Sequence, residues 1–192
     1  RAFMQELRAM QDAGALAMQL IILTATRTSE VLNATWAEFD LDAGVWTIPP
    51  ARMKGFREHR VPLSAAALAA LEKAKAESNG SEFVFPGKPG RAVSNMICLA
   101  TLKRMDRADL TVHGFRSTFR DWCAESTAYP RDVAEMALAH AVEDKSEAAY
   151  RRGDLLEKRR ALMSDWAEFC GKVRTGGDVV SRDRQSTRRN SS

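Results

Sequence analysis

The run Val45-Trp46-Thr47-Ile48-Pro49-Pro50 interrupts a chain that otherwise reads as helix, and the architecture turns on it. Four residues rich in β-branched and aromatic types, closed by two prolines that cannot continue a ladder, predict a strand. Upstream, Trp36, Phe39 and Leu41 lead into the turn Asp42-Ala43-Gly44. Downstream, Lys54-Gly55 reads as a hairpin tip and His59 to Leu63 as the returning strand, giving an antiparallel meander of about three strands. Outward from it the apolar period changes to that of a helix. Phe3, Leu7, Met10, Leu16, Leu20 and Leu23 predict one or two helices through about Ala25, with Gly14 as their joint. Ser64 is a good N-cap, flanked by Leu63 and Leu68 as a hydrophobic staple, for a helix to about Glu77 that stops at Asn79-Gly80. Phe83 to Pro86 reads as a short extended piece before a Gly/Pro loop to Gly90. Further helices are predicted over Val93 to Met105, from His113–Ser117 through Cys123, from Pro130 through Leu138, around Ala148 to Arg151, and from Leu155 to Cys170. The fold class is mainly α with a small antiparallel three-stranded sheet (α+β). Residues 1–173 form the domain, and 174–192 a basic tail without periodicity, predicted to be disordered.

The chain of 192 residues, 45% hydrophobic and 28% charged, has ordinary globular composition, which excludes collagen-like and low-complexity classes. No apolar run approaches the roughly 20 residues of a spanning helix; the longest, Ala15 to Leu23, contains Gln19. The opening Arg1-Ala2-Phe3-Met4 lacks a signal-peptide pattern. Cys98, Cys123 and Cys170 are an odd, widely spaced set without C-x-x-C, which argues against a disulfide framework or a zinc knuckle and fits a reducing cytoplasm. A soluble cytoplasmic protein is expected, with no membrane partner. The missing initiator Met and the immediate helical pattern predict a fragment of a longer protein. Its net charge of +4 is concentrated: residues 174–192 carry five arginines and two aspartates, so the remainder is almost neutral. A nucleic-acid partner must therefore be argued from basic groups placed at a site.

Phosphate-loop, dinucleotide, zinc-protease and serine-hydrolase motifs are all missing, and three histidines without clustered carboxylates disfavour a catalytic metal. Five segments remain: Thr24 to Glu30 around Arg27; Arg52-Met53-Lys54 on the hairpin; His113-Gly114-Phe115-Arg116; Leu138-Ala139-His140; and Ala148 to Arg152 around Tyr150. Each has a plain structural explanation. Arg27 can be the ion-pair partner of Glu30, Lys54 a solvated tip, and His140 a helix-end cation.

Their order is more specific. Arg, a hairpin Lys, His-x-x-Arg, His, then Tyr ten residues later resembles the catalytic domain of the tyrosine recombinase (phage integrase) family. Arg27-Thr28-Ser29-Glu30-Val31, His59 to Ser64, His113 to Phe119 and Ala149 to Asp154 are similar to integrases of prophages and genomic islands. The match spans about Gln5 to Cys170. Two departures are Ala25-Thr26, where many members carry Thr-Gly, and Ala139, where Gly commonly precedes the second His. The resemblance implies that fold and a DNA strand-breaking and rejoining enzyme with catalytic Arg27, Lys54, His113, Arg116 and His140, and with Tyr150 as nucleophile. It implies no cofactor: the phosphodiester energy stays in a 3′-phosphotyrosyl link, and arginines supply permanent positive charge. Tyr129, the only other tyrosine, precedes Pro130 and lacks the family spacing.

Phosphate contacts are expected from Arg57 and Arg60 beside the hairpin, and from Lys103, Arg104, Arg107, Arg120, Arg151 and Arg152. The family organisation further implies double-stranded attachment-site DNA as partner, an additional N-terminal DNA-binding domain, a homo-tetramer on DNA with a monomeric isolated fragment, and in some systems an accessory directionality factor. The stripe Leu155, Leu162, Trp166 and Phe169 is expected to pack on its own core rather than link protomers. A type IB topoisomerase-like nicking-closing enzyme and a non-catalytic DNA-binding regulator remain alternatives at this point.

Overall fold

The structure is a computed structural model and describes residues 2–140 and 153–172. The predicted short helix around Ala148 to Arg151 and the tail 174–192 lie outside the described residues.

Helix α2 (Ala13–Thr24) is apolar on every side and is buried on every side, with residues 14–24 all inaccessible. A helix of this kind belongs at the centre of a domain. Around it pack α1 (Ala2–Ala9), α4 (Ala65–Glu77), α5 (Met96–Arg104) and the final helix α8 (Leu156–Gly171). Asp12 caps α2, its Oδ1 accepting the amides of Gly14 at 3.1 Å and Ala15 at 3.3 Å. Gly14 is therefore not the joint between α1 and α2, which falls at residues 10–12. It lies in the first turn of α2, where a Cβ would come within 2.4 Å of Thr101 Oγ1 on α5, so it is needed for close helix approach.

The meander forms as the alternating residues require. Strands β1 (Phe39–Asp40), β2 (Val45–Ile48) and β3 (His59–Pro62) pair in the order β1-β2-β3, both ladders antiparallel. Trp46 faces Phe39 on one side and Val61 on the other, and the Phe39 and Trp46 rings stack at 5.2 Å. Gly44, at φ +62°, closes the first turn in a conformation that favours glycine. Leu63 is not part of β3, but the staple helix follows as read: Ser64 Oγ accepts the Ala67 amide at 3.3 Å and α4 ends at Glu77. Phe83 and Pro86 make only isolated bridges, to Thr35 and Ala92, and α5 begins at Met96 rather than Val93.

Helices α6 (Gly114–Ser126) and α7 (Arg131–Ala137) pack on each other, and α7 packs on α8. The apolar stripe of α8 is spent inside this chain. Trp166 meets Phe119 edge-on at 5.3 Å, lies 5.1 Å from Trp122, and donates its indole N–H to the Ile22 carbonyl at 2.7 Å. Leu162 is equally inaccessible. Cys98, Cys123 and Cys170 are buried, and none forms a disulfide among the described residues. No described helix is long and apolar enough to cross a membrane.

Candidate active site

Four of the five motif segments lie within the described residues, and three are joined by one side chain. Arg116, on the first turn of α6, is buried; its Nη1 donates to the Ala25 carbonyl and its Nη2 to the Leu138 carbonyl at 2.7 Å. Ala25 stands two residues before Arg27, and Leu138 two residues before His140. The guanidinium therefore fastens the first-arginine loop and the second-histidine turn to its own helix. Burial, with the positive charge of Arg27 nearby, lowers Arg116 to about 10, so it stays cationic at neutral pH.

Arg27 begins the short helix α3 (Thr28–Leu32). The Glu30 carboxylate accepts both the Arg27 backbone amide and its Nη1, each at 2.7 Å, which fixes the half-buried guanidinium at the helix start. His113 is the exposed residue preceding α6, and a surface depression is lined by Arg27, Leu32, Leu110, Val112 and His113. The Arg27 and His140 segments thus meet at Arg116, on the helix that follows His113. Lys54 is exposed on the β2–β3 connection. That connection is rooted by Arg52, which bonds the Glu30 carbonyl and pairs with Glu38. Tyr150, Arg151 and Arg152 lie outside the described residues.

Both departures from the family pattern coincide with left-handed backbone. Ala25 has φ +51° and Ala139 φ +49°. Alanine tolerates this region at a cost of about 1–2 kcal/mol, which the glycine common in the family at position 139 would avoid; at position 25 the family pattern has Thr.

The phosphate-contact candidates divide. Arg57 and Lys103 are exposed. Arg60 reaches Asp154 at only 3.4 Å, and is itself exposed. Arg104 is engaged with Asp12 at 2.8 Å, Arg107 with Asp109 at 3.2 Å, and Arg120 with Glu135 at 3.1 Å.

Three residues at or beside the site escaped sequence reasoning. Glu135, on α7, holds the His140 ring: its Oε2 stands 2.5 Å from His140 Nδ1. Arg159 sits in the stretch Glu157-Lys158-Arg159-Arg160, which reads as surface, yet it is 1% exposed. It donates to the carbonyls of Asp154 (2.7 Å) and Arg60 (2.5 Å) and fastens α8 to β3. His59 reads in sequence as the start of the returning strand and of the family-like His59 to Ser64 stretch, with no site role; it is 8% exposed, and its Nε2 has no hydrogen-bond partner among the described residues.

Burial, reinforced by Arg159, Arg116 and Arg27 and opposed by a backbone bond at Ala137, lowers His59 from 6.5 to about 4. The unfolded chain takes up this proton below about pH 6.5, whereas the folded chain refuses it until about pH 4. Stability from this residue is complete above pH 6.5 and is lost on acidification, by up to about 3 kcal/mol. Urea denaturation of wild type and His59→Gln between pH 4 and pH 7 should show a shallower acid decline in the variant.

A mainly helical domain with a three-stranded antiparallel sheet and this arrangement of arginines and histidines has the tyrosine recombinase catalytic-domain fold. Residues 2–154 match the phage integrase family, and the chain belongs to that family. It is 41% identical over 163 residues to prophage integrase IntA of Escherichia coli K12, covering 83% of this chain and 39% of that protein. It is 33% identical over 172 residues to the integrase of Enterobacteria phage P4, covering 80% of this chain and 39% of that protein. The chain thus spans about two-fifths of the length of these relatives. Among solved structures, the Tn1549 transposon integrase in complex with transposon right-end DNA superposes with a TM-score of 0.52 at 15% identity, covering 80% of this chain and 58% of that one; this likeness speaks for the fold.

Proposed function

We propose that the chain is the catalytic part of a site-specific DNA recombinase, an integrase that cleaves and rejoins strands through a 3′-phosphotyrosyl intermediate to integrate or excise a prophage or genomic island. The observation that carries this reading is the Arg116 bridge, since it gathers the Arg27, His113 and His140 segments around one side chain.

In this reading the Tyr150 oxygen attacks a backbone phosphorus, the phenolic proton passes to His113, and the 5′-oxygen leaves with a proton from Lys54. An ammonium can release that proton at working pH where a guanidinium cannot. Negative charge concentrates on the non-bridging oxygens of the transition state. Arg27 and Arg116 offer fixed N–H donors to them, each positioned donor being worth about 2.7–4 kcal/mol, and His140 adds a further donor. Reversal of the same steps reseals the strand, because the bond energy remains in the phosphotyrosine.

The substrate is double-stranded attachment-site DNA, with Arg57, Arg60 and Lys103 as exposed candidates to follow its backbone. The family organisation supports a tetramer assembled on paired sites, a further N-terminal DNA-binding domain and a bacterial, nucleoid-associated location. The test is incubation of the full natural protein with a nicked attachment-site duplex, followed by denaturing electrophoresis. A covalent protein–DNA adduct is expected; its absence would favour a regulator that binds without cutting.

A further inference from the structure

Helix α7 ends in a turn that brings one acidic side chain onto the last motif histidine. Ala139, at φ +49°, donates its amide to the Met136 carbonyl at 3.1 Å, and His140 donates its amide to the Glu135 carbonyl at 3.0 Å. These are the paired closing bonds of a left-handed helix cap. The same turn carries the His140 ring back over α7, where Nδ1 lies 2.5 Å from Glu135 Oε2. The other carboxylate oxygen, Oε1, accepts from Arg120 Nε of α6 at 3.1 Å and lies 3.9 Å from Arg131 Nε. The carboxylate is therefore held from two sides, by α6 and by its own helix.

We infer that Glu135 is a positioning residue for His140: it fixes the proton on Nδ1 and so makes Nε2 the nitrogen offered to the reacting phosphate. This rests on the recombinase reading above and assigns its second histidine a partner. Burial works to raise the Glu135 carboxyl, but the bond from His140 and the charges of His140, Arg120 and Arg131 outweigh it and hold the group below its ordinary range. An ionised carboxylate has no proton to give, so the ring nitrogen facing it must be the donor. Which nitrogen of a histidine carries the proton is set by the bond the other makes. With Nδ1–H committed to Glu135, Nε2 faces the phosphate, and it is the doubly protonated ring, its charge opposite the Glu135 carboxylate, that donates Nε2–H to a non-bridging oxygen. Without Glu135 the ring loses the anion opposite its charge and its one side-chain hydrogen bond among the described residues, so it is free to rotate and, when neutral, to carry its proton on Nε2. Arg120 then acts within the protein, as the cation that keeps Glu135 in place.

Three histidines in the chain make the tautomer directly readable. In ring nitrogen–carbon correlation spectra at a pH where the imidazoles are neutral, wild-type His140 should show the Nδ1–H form. Glu135→Ala should shift it to the Nε2–H form. Glu135→Gln keeps an acceptor oxygen at the same reach and should retain most of the wild-type signature even if the Ala variant folds poorly. In the full protein, the single-turnover rate of adduct formation at saturating nicked DNA should fall roughly 10- to 100-fold in Glu135→Ala, the scale known for removing the hydrogen-bond partner that orients a metal-bound imidazole. DNA affinity should stay nearly constant, and Glu135→Gln should recover much of the rate. An unchanged tautomer, or an unchanged rate in Glu135→Ala where wild type forms adduct, overturns the assignment. If wild type forms no adduct, the recombinase reading fails instead, and the spectra alone decide whether Glu135 sets the ring.

Discussion

Tyr150→Phe is expected to abolish the covalent protein–DNA adduct completely, and Tyr129→Phe to leave it at the wild-type level. The chain offers only these two phenols, so the pair of variants isolates the attacking oxygen. The structure shows why Tyr129 cannot serve. Its hydroxyl donates to Asp165 on α8 at 2.7 Å, in a hollow between the ends of α6 and α8 that is also lined by Trp122, Glu168 and Phe169. Burial, and then the Asp165 carboxylate as bond partner and negative charge, push this phenol up to about 12. A nucleophile needs the opposite shift or a base within reach, and an anionic neighbour would also repel the phosphate. Tyr150 owes its assignment to sequence order, ten residues beyond His140. The loss in Tyr150→Phe should therefore be all-or-none on a denaturing gel, with DNA binding in a native gel retained, because a phenyl ring removes the attacking atom and little else. Adduct persisting in Tyr150→Phe, or vanishing in Tyr129→Phe, would move the nucleophile.

What could be read from the letters follows the range of the forces involved. The meander was legible because period-two patterning, Pro49-Pro50 and Gly44 act over a few residues, and α4 because Ser64 caps it locally. The placement of Gly14 was not, since its reason is Thr101 on a different helix, 87 positions away. The same distinction holds in the site. Arg27 with Glu30 is a three-residue relation and was visible. Glu135 with His140 is a five-residue relation that exists only because Ala139 takes a left-handed turn, which alanine does not advertise. Arg159 looks like a surface residue in sequence and becomes buried only when α8 meets β3. His59 reads as strand, and its low proton affinity comes chiefly from burial and from arginines distant in sequence. Sequence order supplies the proposed chemistry, while the groups that hold its candidate residues in place are set by tertiary packing.

Arg116→Met separates the clamp seen in the structure from the phosphate-binding role proposed above, and its expected result is an intact fold with adduct formation reduced by roughly 10²–10³-fold or more. The stability terms nearly cancel. Lowering the guanidinium to about 10 means that burying the cation costs the fold about 3 kcal/mol. Against that stand two charge-assisted bonds to the Ala25 and Leu138 carbonyls, each worth about 1.5–3 kcal/mol. Methionine removes the burial cost and fills much of the space, but it leaves the Ala25 and Leu138 carbonyls without these donors, at about 1–3 kcal/mol for each that stays buried. Urea denaturation should accordingly show a net loss of about 1–3 kcal/mol, small enough to leave the domain folded. Arg116→Lys should be no better for cleavage despite keeping the charge, because one ammonium on a flexible stem cannot span both carbonyls and still present a planar fork to the phosphate. Circular dichroism and urea denaturation alongside the nicked-duplex assay distinguish the outcomes. Were Arg116→Met to lose activity only in proportion to its unfolded fraction, the buried arginine would be a structural clamp, and Arg27 with His140 would be left to carry the charge of the transition state.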